Sequence, residues 1–248
     1  MIRGVTLDLW DTVIADDSDE QVRQARGMAS KEEARVAIVI DALLAEGFSV
    51  DRERLTDALG MVANQFRTIW RNEHLTFSVT ERLDRVLAQL GTPLPVDSRA
   101  VIVRALEEME LDPRPIPVPG AIDGVAALAA RWPLAIVSDA VFSPGRCLRE
   151  ILRTHGLLDH FGACVFSDEA GRSKPDAGVF KAAAERLGVP LEAMVHVGDR
   201  EHHDIRGAQA AGMKAVLFVA ARDADLEGTA ADAVCGNWQE LLSIIGSL

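Results

Sequence analysis

The chain has 248 residues, 48% apolar and 26% charged, a balance that fits a folded globular protein with one large domain or a core carrying an insertion. Its formal net charge is −12 and no basic stripe stands out, so nucleic-acid binding is not expected. No apolar run approaches the roughly 18–20 residues of a membrane span, and the N-terminal MIRGVTLDLWD reaches an acid too soon for a signal peptide.

Cys147, Cys164 and Cys235 are odd in number and far apart, which reads as reduced thiols in a cytoplasmic protein. Ile2–Leu9 is predominantly apolar and reads as a buried strand of a parallel sheet, with Asp8 and Asp11 at its exit. From Ala15 to about Leu111 the pattern turns helical: Ser18–Gly47, Arg52–Asn72, Val79–Leu90 and Val96–Glu110. Ser78 with Glu81 three residues on is a capping-box pattern for the third of these. Asp112–Gly120, DPRPIPVPG, is too rich in proline for helix or central strand and reads as a stiff return linker crossing near Ala15–Ser18.

Beyond Ala121 the chain alternates. Helices are expected over Ile122–Arg131, Pro144–Gly156, Pro175–Leu187, Ile205–Ala211 and Trp238–Ile245. Strands are expected over Leu134–Val137, Ala163–Phe166, Ala193–Val197 and Ala215–Val219, with Val234 in a last edge strand. Repeated βα units imply an α/β fold, a three-layer Rossmann-like parallel sheet with right-handed crossovers. The first strand belongs to that sheet, so the helices form an inserted α-helical cap domain, 16–115, in a core of 1–15 and 116–248. Ligands of such sheets bind beyond the C-terminal strand ends, where Asp8, Asp11, Ser138 and Asp199 all fall.

Asp8 and Asp11 can be turn acids, or a nucleophile or metal ligand paired with a general acid/base. Asp204 can cap the following helix or join Asp199 and Asp8 as hard oxygen ligands suited to Mg²⁺. Lys174 is one of only four lysines; it is a solvated side chain, or with Ser138 it holds phosphate oxygens. With a net charge of −12, an anionic substrate would need such placed cations, or a metal ion, to enter.

Four stretches in order, Asp8-Leu-Trp-Asp11-Thr12, Ile136-Val-Ser138-Asp139, Lys174-Pro175 and Gly198-Asp199 with Asp204, resemble the motifs of the haloacid dehalogenase-like (HAD) hydrolase superfamily, in the subgroup with a helical C1-type cap. The resemblance implies Asp8 as nucleophile, forming an aspartyl-phosphate, and Asp11 as the acid/base. It implies Ser138 and Lys174 on the phosphoryl group, with Ser138-Asp139 lining the substrate site. Mg²⁺ would sit on Asp8, the Asp11 carbonyl and Asp199, with Asp204 in support. The expected reaction is removal of phosphate from a small phosphorylated metabolite. A mutase, a phosphonatase and a non-catalytic phosphate-binding module remain open, as do monomer and homodimer. Members that act on carbon–halogen bonds lack the second acid and need no metal, so Asp11 points to phosphate. Lys31, the only lysine of the cap, lies in SKEEA, with nothing apolar around it to lower its pKa for a Schiff base.

Arg67 and Arg71 share one helix face beside His74. They read the anionic end of a substrate, or they pair at the surface with acids such as Glu73. Trp10 lines the pocket floor or packs in the core. His196 is expected in the core, and His202 and His203 in supporting or surface positions, since imidazole is a poor Mg²⁺ ligand.

Overall fold

The computed structural model describes residues 1–248. Strand β1 (Gly4–Leu7) is followed by five helices: α1 (Ser18–Ala25), α2 (Lys31–Ala45), α3 (Arg52–Glu73), α4 (Val79–Leu90) and α5 (Val96–Glu107). The alternating part runs α6 (Ala121–Ala129), β2 (Leu134–Ser138), α7 (Gly145–Thr154), β3 (Ala163–Phe166), α8 (Ser167–Ala170), α9 (Ala177–Leu187), β4 (Met194–Gly198), α10 (Arg206–Ala210), β5 (Lys214–Phe218), β6 (Ala233–Cys235) and α11 (Trp238–Ser247).

All six strands are parallel, in the order β3-β2-β1-β4-β5-β6. This is the doubly wound arrangement expected from the alternation, with the reversal of winding between β1 and β4. Both faces are apolar because strand residues alternate between them. Leu134 and Ile136 pack with Leu148, Trp238 and Leu241 on one side. Ala135 and Val137 pack with Phe180, Ala183 and Ile205 on the other. Asp8 and Asp199 follow directly on the C-terminal ends of the two strands at the switch point.

Helices α2 to α5 hold a cluster of their own, including Val39, Leu43, Leu55, Val62, Leu83, Val86 and Ile102. The two chain crossings between helices and sheet run side by side. Ala15 donates its N–H to Ile116 O at 2.9 Å, and Val118 donates to Val13 O at 3.0 Å. Ser18 Oγ accepts the Ile116 N–H at 2.9 Å. The proline-rich return thus meets the outgoing chain where the sequence placed it.

Two expectations change. The helix expected over Ser18–Gly47 is broken after Ala25, where Gly27 takes φ +65°. A second helix starts at the capping box of Ser30 and Glu33. The helix expected to begin at Ile205 is preceded by a π-helical turn, Glu201–Ile205, which widens the backbone beside the strand ends. The box at Ser78 and Glu81 is formed as expected, the Ser78 side chain accepting from Glu81 N and the Glu81 carboxylate from Ser78 N. Ser78→Ala should cost about 1 kcal/mol of stability, read as a shift of the urea midpoint at constant m-value; an unchanged midpoint would show that α4 does not depend on its cap.

Candidate functional site

The end of β1 delivers Asp8, only 5% exposed, beside Lys174, which is 3% exposed. Lys174 Nζ lies 2.5 Å from Asp8 Oδ1 and 2.6 Å from Asp204 Oδ1. Asp204 Oδ1 also meets His196 Nε2 at 3.1 Å, and His196 Nδ1 meets Thr6 Oγ1 at 2.8 Å. A hydrogen-bonded path therefore leaves the middle of β1, crosses β4 and returns to the end of β1. His196 is in the core, as expected, but it is used there to aim Asp204.

Asp204 does not cap a helix. Its Oδ2 accepts the Arg200 N–H at 2.9 Å, so both oxygens are spent within the protein. The π-helical turn swings the side chain inward, under Gly198. A Cβ at Gly198 would come within 2.4 Å of Asp204 Cγ, so glycine is needed there for close approach. Asp199 is different: it is 1% exposed and its Oδ1 has no hydrogen-bond partner. Ser138, 2% exposed at the end of β2, likewise has an unpartnered Oγ.

The charges follow from this crowding. Burial, then the charge of Asp204, outweighs Lys174 and pushes Asp8 up to about 6. Burial, Asp204 and Asp8 push Asp199 up to about 8. Burial would raise Asp204 too, but Lys174 and His196 hold it well below the usual carboxylate range. Burial alone would depress Lys174, yet Asp204, Asp8 and Asp139 raise it, so it stays an ammonium. The carboxylates of Asp8, Asp199 and Asp204 offer ligand atoms within 4.8 Å of one another. With the unpartnered Asp199 oxygen, this donor set fits a hard divalent cation such as Mg²⁺.

Asp8, Ser138 and Lys174 floor a cleft of about 430 Å³ between sheet and helices, with Asp199 and Asp204 behind them. Lys31, Arg35, Arg67, Arg71, Arg82, Lys174 and Arg200 line it against Asp8, Asp16, Asp17, Glu110 and Asp139. The local excess of cations reverses the chain's net charge of −12, as an anionic substrate requires. Arg67 and Arg71 are exposed at the rim. Trp70, between them in sequence, is the main contact across the cleft. Its Nε1 donates to Asp139 Oδ2 at 2.9 Å, and its ring stacks on His203 with centroids 4.2 Å apart. Burial pushes His203 down to about 3, so its imidazole is neutral; His202 is exposed.

Two expectations are corrected by these positions. Asp11 does not face the cleft: it takes φ +54°, and its Oδ1 accepts the Asp16 N–H at 3.0 Å. Trp10 lines the cleft in its place. Asp139 lines the cleft, but its oxygens are occupied by Lys174 N at 3.0 Å and Trp70 Nε1, so it aims protein groups and offers substrate no donor. Lys31 is buried among acids, and as expected its pKa is not lowered. Burial would lower it, but Glu110, Asp17 and Asp19 raise it, so it cannot serve as a neutral amine.

Arg35, Arg82 and Trp70 were missed at the sequence level, although a signal exists. Arg82 lies at i+3 from Val79 and i−4 from Val86, and Arg35 at i−4 from Val39, so each falls on its helix's buried stripe.

The chain matches the family model described as haloacid dehalogenase-like hydrolase over residues 2–212. It is 37% identical over 96 residues to haloacid dehalogenase-like hydrolase domain-containing protein 3 of Danio rerio, covering 39% of this chain and 40% of that one. The chain spans about a third to two fifths of the first curated relatives it matches. A glyceraldehyde 3-phosphate phosphatase of Methanocaldococcus jannaschii is 26% identical over 252 residues, covering 100% of this chain and 99% of that one. Two solved structures share the fold. A 2-haloacid dehalogenase from Pseudomonas syringae pv. Tomato has TM-score 0.68 and 23% identity, covering 100% of this chain and 99% of that one. The putative HAD-hydrolase YfnB from Bacillus subtilis, bound to magnesium, has TM-score 0.61 and 20% identity, covering 98% of each chain.

The raised acids set the pH dependence of stability. Asp8 and Asp139 near 6 and Asp199 near 8 keep protons in the folded state that the unfolded chain loses near 3.8. Their contribution is fully present below about pH 4 and is lost as pH rises through 6 and 8, whereas the contribution of Asp204 runs the other way on acidification. In chelator, the melting temperature should fall between pH 5 and 8, and Asp199→Asn should flatten that fall. A slope unchanged by the substitution would show that Asp199 does not carry it.

Proposed function

We propose that this chain, which belongs to the haloacid dehalogenase-like hydrolase family, is a Mg²⁺-dependent phosphatase for a small phosphorylated metabolite. One observation carries the reading: the Lys174 ammonium bridges Asp8 and Asp204 beside an unpartnered carboxylate oxygen on Asp199 and an unpartnered hydroxyl on Ser138. A nucleophile, a fixed cation, a free acidic ligand and a free donor are what phosphoryl transfer from a monoester needs at one point. The phosphatase name of the full-length relative from Methanocaldococcus jannaschii supports the same class.

Asp8 attacks phosphorus through the oxygen not held by Lys174, forming an aspartyl-phosphate as the P–O bond to the leaving group breaks. Ser138 Oγ donates to a phosphoryl oxygen, and Lys174 keeps the nucleophile ionised and offsets developing charge. Asp8 and Asp199 would hold Mg²⁺, with a main-chain carbonyl of the turn at Asp11, while Asp204 fixes Lys174 behind them. Bound there, the cation neutralises charge on the phosphoryl oxygens. Water then attacks the acyl phosphate and releases phosphate. The helices of 16–115 act as a cap on the core of 1–15 and 116–248, with Trp70 closing on Asp139 and His203 to exclude water during transfer.

Asp16, which lines the cleft, and not Asp11, which faces away, gives the leaving oxygen its proton. Asp16 is exposed. The protein mass around it, then the charges of Asp17 and Asp11, pushes its carboxyl up to about 6, a range suited to giving and taking protons near neutrality. A second reading is favoured by Trp10: with no acid at that place in the cleft, displacement of halide from carbon needs no leaving-group proton.

Purified protein with Mg²⁺ should release phosphate from a panel of metabolite monoesters, and EDTA or Asp8→Asn should abolish it. Halide release from 2-haloacids with no phosphate release from the panel would replace this reading with the second. Asp16→Asn should lower kcat about 100-fold and Asp11→Asn less than tenfold. The reverse order would return the proton to Asp11.

A further inference from the structure

At the helical end of the cleft, Arg35 of α2 and Arg82 of α4 converge on Phe142, which comes from the loop after β2. The Arg35 guanidinium lies 3.9 Å from the Phe142 ring centroid. Arg82 lies 4.7 Å from the same centroid and 3.6 Å from that of Phe66. Arg82 is only 6% exposed, and its Nε and Nη2 have no hydrogen-bond partner; Arg35 Nε has none either. No carboxylate lies within ion-pair distance of either guanidinium, whereas Arg26, Arg146 and Arg149 each have one.

Arg82, withdrawn from water beside a like charge, is costly to keep, while Arg35 is partly covered and feels Glu110 and Asp17 from beyond ion-pair distance. Burial, and then the neighbouring Arg35, pushes the Arg82 guanidinium down to about 9. Stacking on aromatic faces satisfies the planes of the two groups but leaves their N–H edges unpaired. Both arginines line the same cleft as Asp8, Ser138 and Lys174. A guanidinium pair is matched by a planar or tetrahedral oxyanion, and neutral hydroxyls would leave the Arg82 charge uncompensated.

We propose that Arg35 and Arg82, stacked on Phe142, bind a second anionic group of the substrate, a carboxylate or a second phosphate, at the end of the cleft opposite Asp8. The inference rests on the phosphatase reading for the other end of the ligand. The substrate class is then a short molecule with a phosphomonoester at one end and an acidic group at the other, of a size that a cleft of about 430 Å³ admits. Arg35 and Arg82 select for it, and the rim arginines Arg67 and Arg71 guide it in.

Binding of non-hydrolysable probes tests this without turnover. Titration calorimetry would compare ethylphosphonate, with one anionic end, against phosphonoacetate and propane-1,3-bisphosphonate, with two. Wild type should bind one of the doubly anionic probes at least tenfold more tightly than ethylphosphonate. The better of the two identifies the second group as carboxylate or phosphate. Arg82→Met and Arg35→Met should each reduce that ratio several-fold, and Arg82→Lys should keep part of it. Arg82→Met should also melt at or above the wild-type temperature, because it removes an uncompensated buried charge. A wild-type ratio near one, no binding of either dianion, or a ratio unmoved by both Met variants would overturn the proposal. So would a lower melting temperature for Arg82→Met with the ratio intact, which marks Arg82 as a packing strut for Phe66 and Phe142. Preferential dianion binding by a protein that hydrolyses no monoester would instead leave the anion site standing and remove the phosphatase reading.

Discussion

One buried ammonium holds the site together. Lys174 sits among Asp8, Asp204 and Asp139, and without it these carboxylates would share one dry pocket with no compensating charge. Such a cluster is tolerable only when each acid has a fixed partner. The structure supplies them from three directions: β1 brings Asp8, β2 leads to Asp139, and β4 leads through a π-helical turn to Asp204. Asp199 keeps an unpartnered oxygen and Asp8 the oxygen that Lys174 does not hold, and this separates the acids available to an outside cation from Asp204 and Asp139, whose oxygens are all engaged within the protein.

Much of this was legible in the chain. The alternation of helix and strand beyond Ala121 gave the parallel sheet, and the acids at strand ends fell at the switch point. Lys174 and Ser138 were recognisable because their order along the chain matches a known set. Asp11 was expected at the cleft and does not reach it, because side-chain direction at a tight turn depends on one backbone angle. With φ +54° the carboxylate turns to the Asp16 amide, and Trp10 takes the wall of the cleft. No pattern of residue types shows that rotation.

The helical block was harder to read. Its helices were found, apart from the break at Gly27, but its contribution to the site was sought among exposed residues of α3. The residues that close the cleft from this side are a tryptophan and two arginines lying on apolar stripes. Periodicity records such an arginine as an interruption of the hydrophobic pattern, and only packing shows that the interruption faces a cavity. Charge explains the placement. A protein of net charge −12 that takes up an anion needs its cations concentrated in one concavity, and burial is what concentrates them.

The paired crossings at Ala15 and Ile116 bear on how this protein came to be built. The outgoing and returning chains are hydrogen-bonded neighbours, so the sheet perceives the insertion as hardly more than a turn between two adjacent positions. Nothing in the core's hydrogen bonding specifies how many residues lie between those positions or what they form. A lineage can therefore exchange, enlarge or rebuild the block above the cleft while the chemistry beneath it is inherited intact. Substrate choice and reaction type become separately heritable characters of one chain.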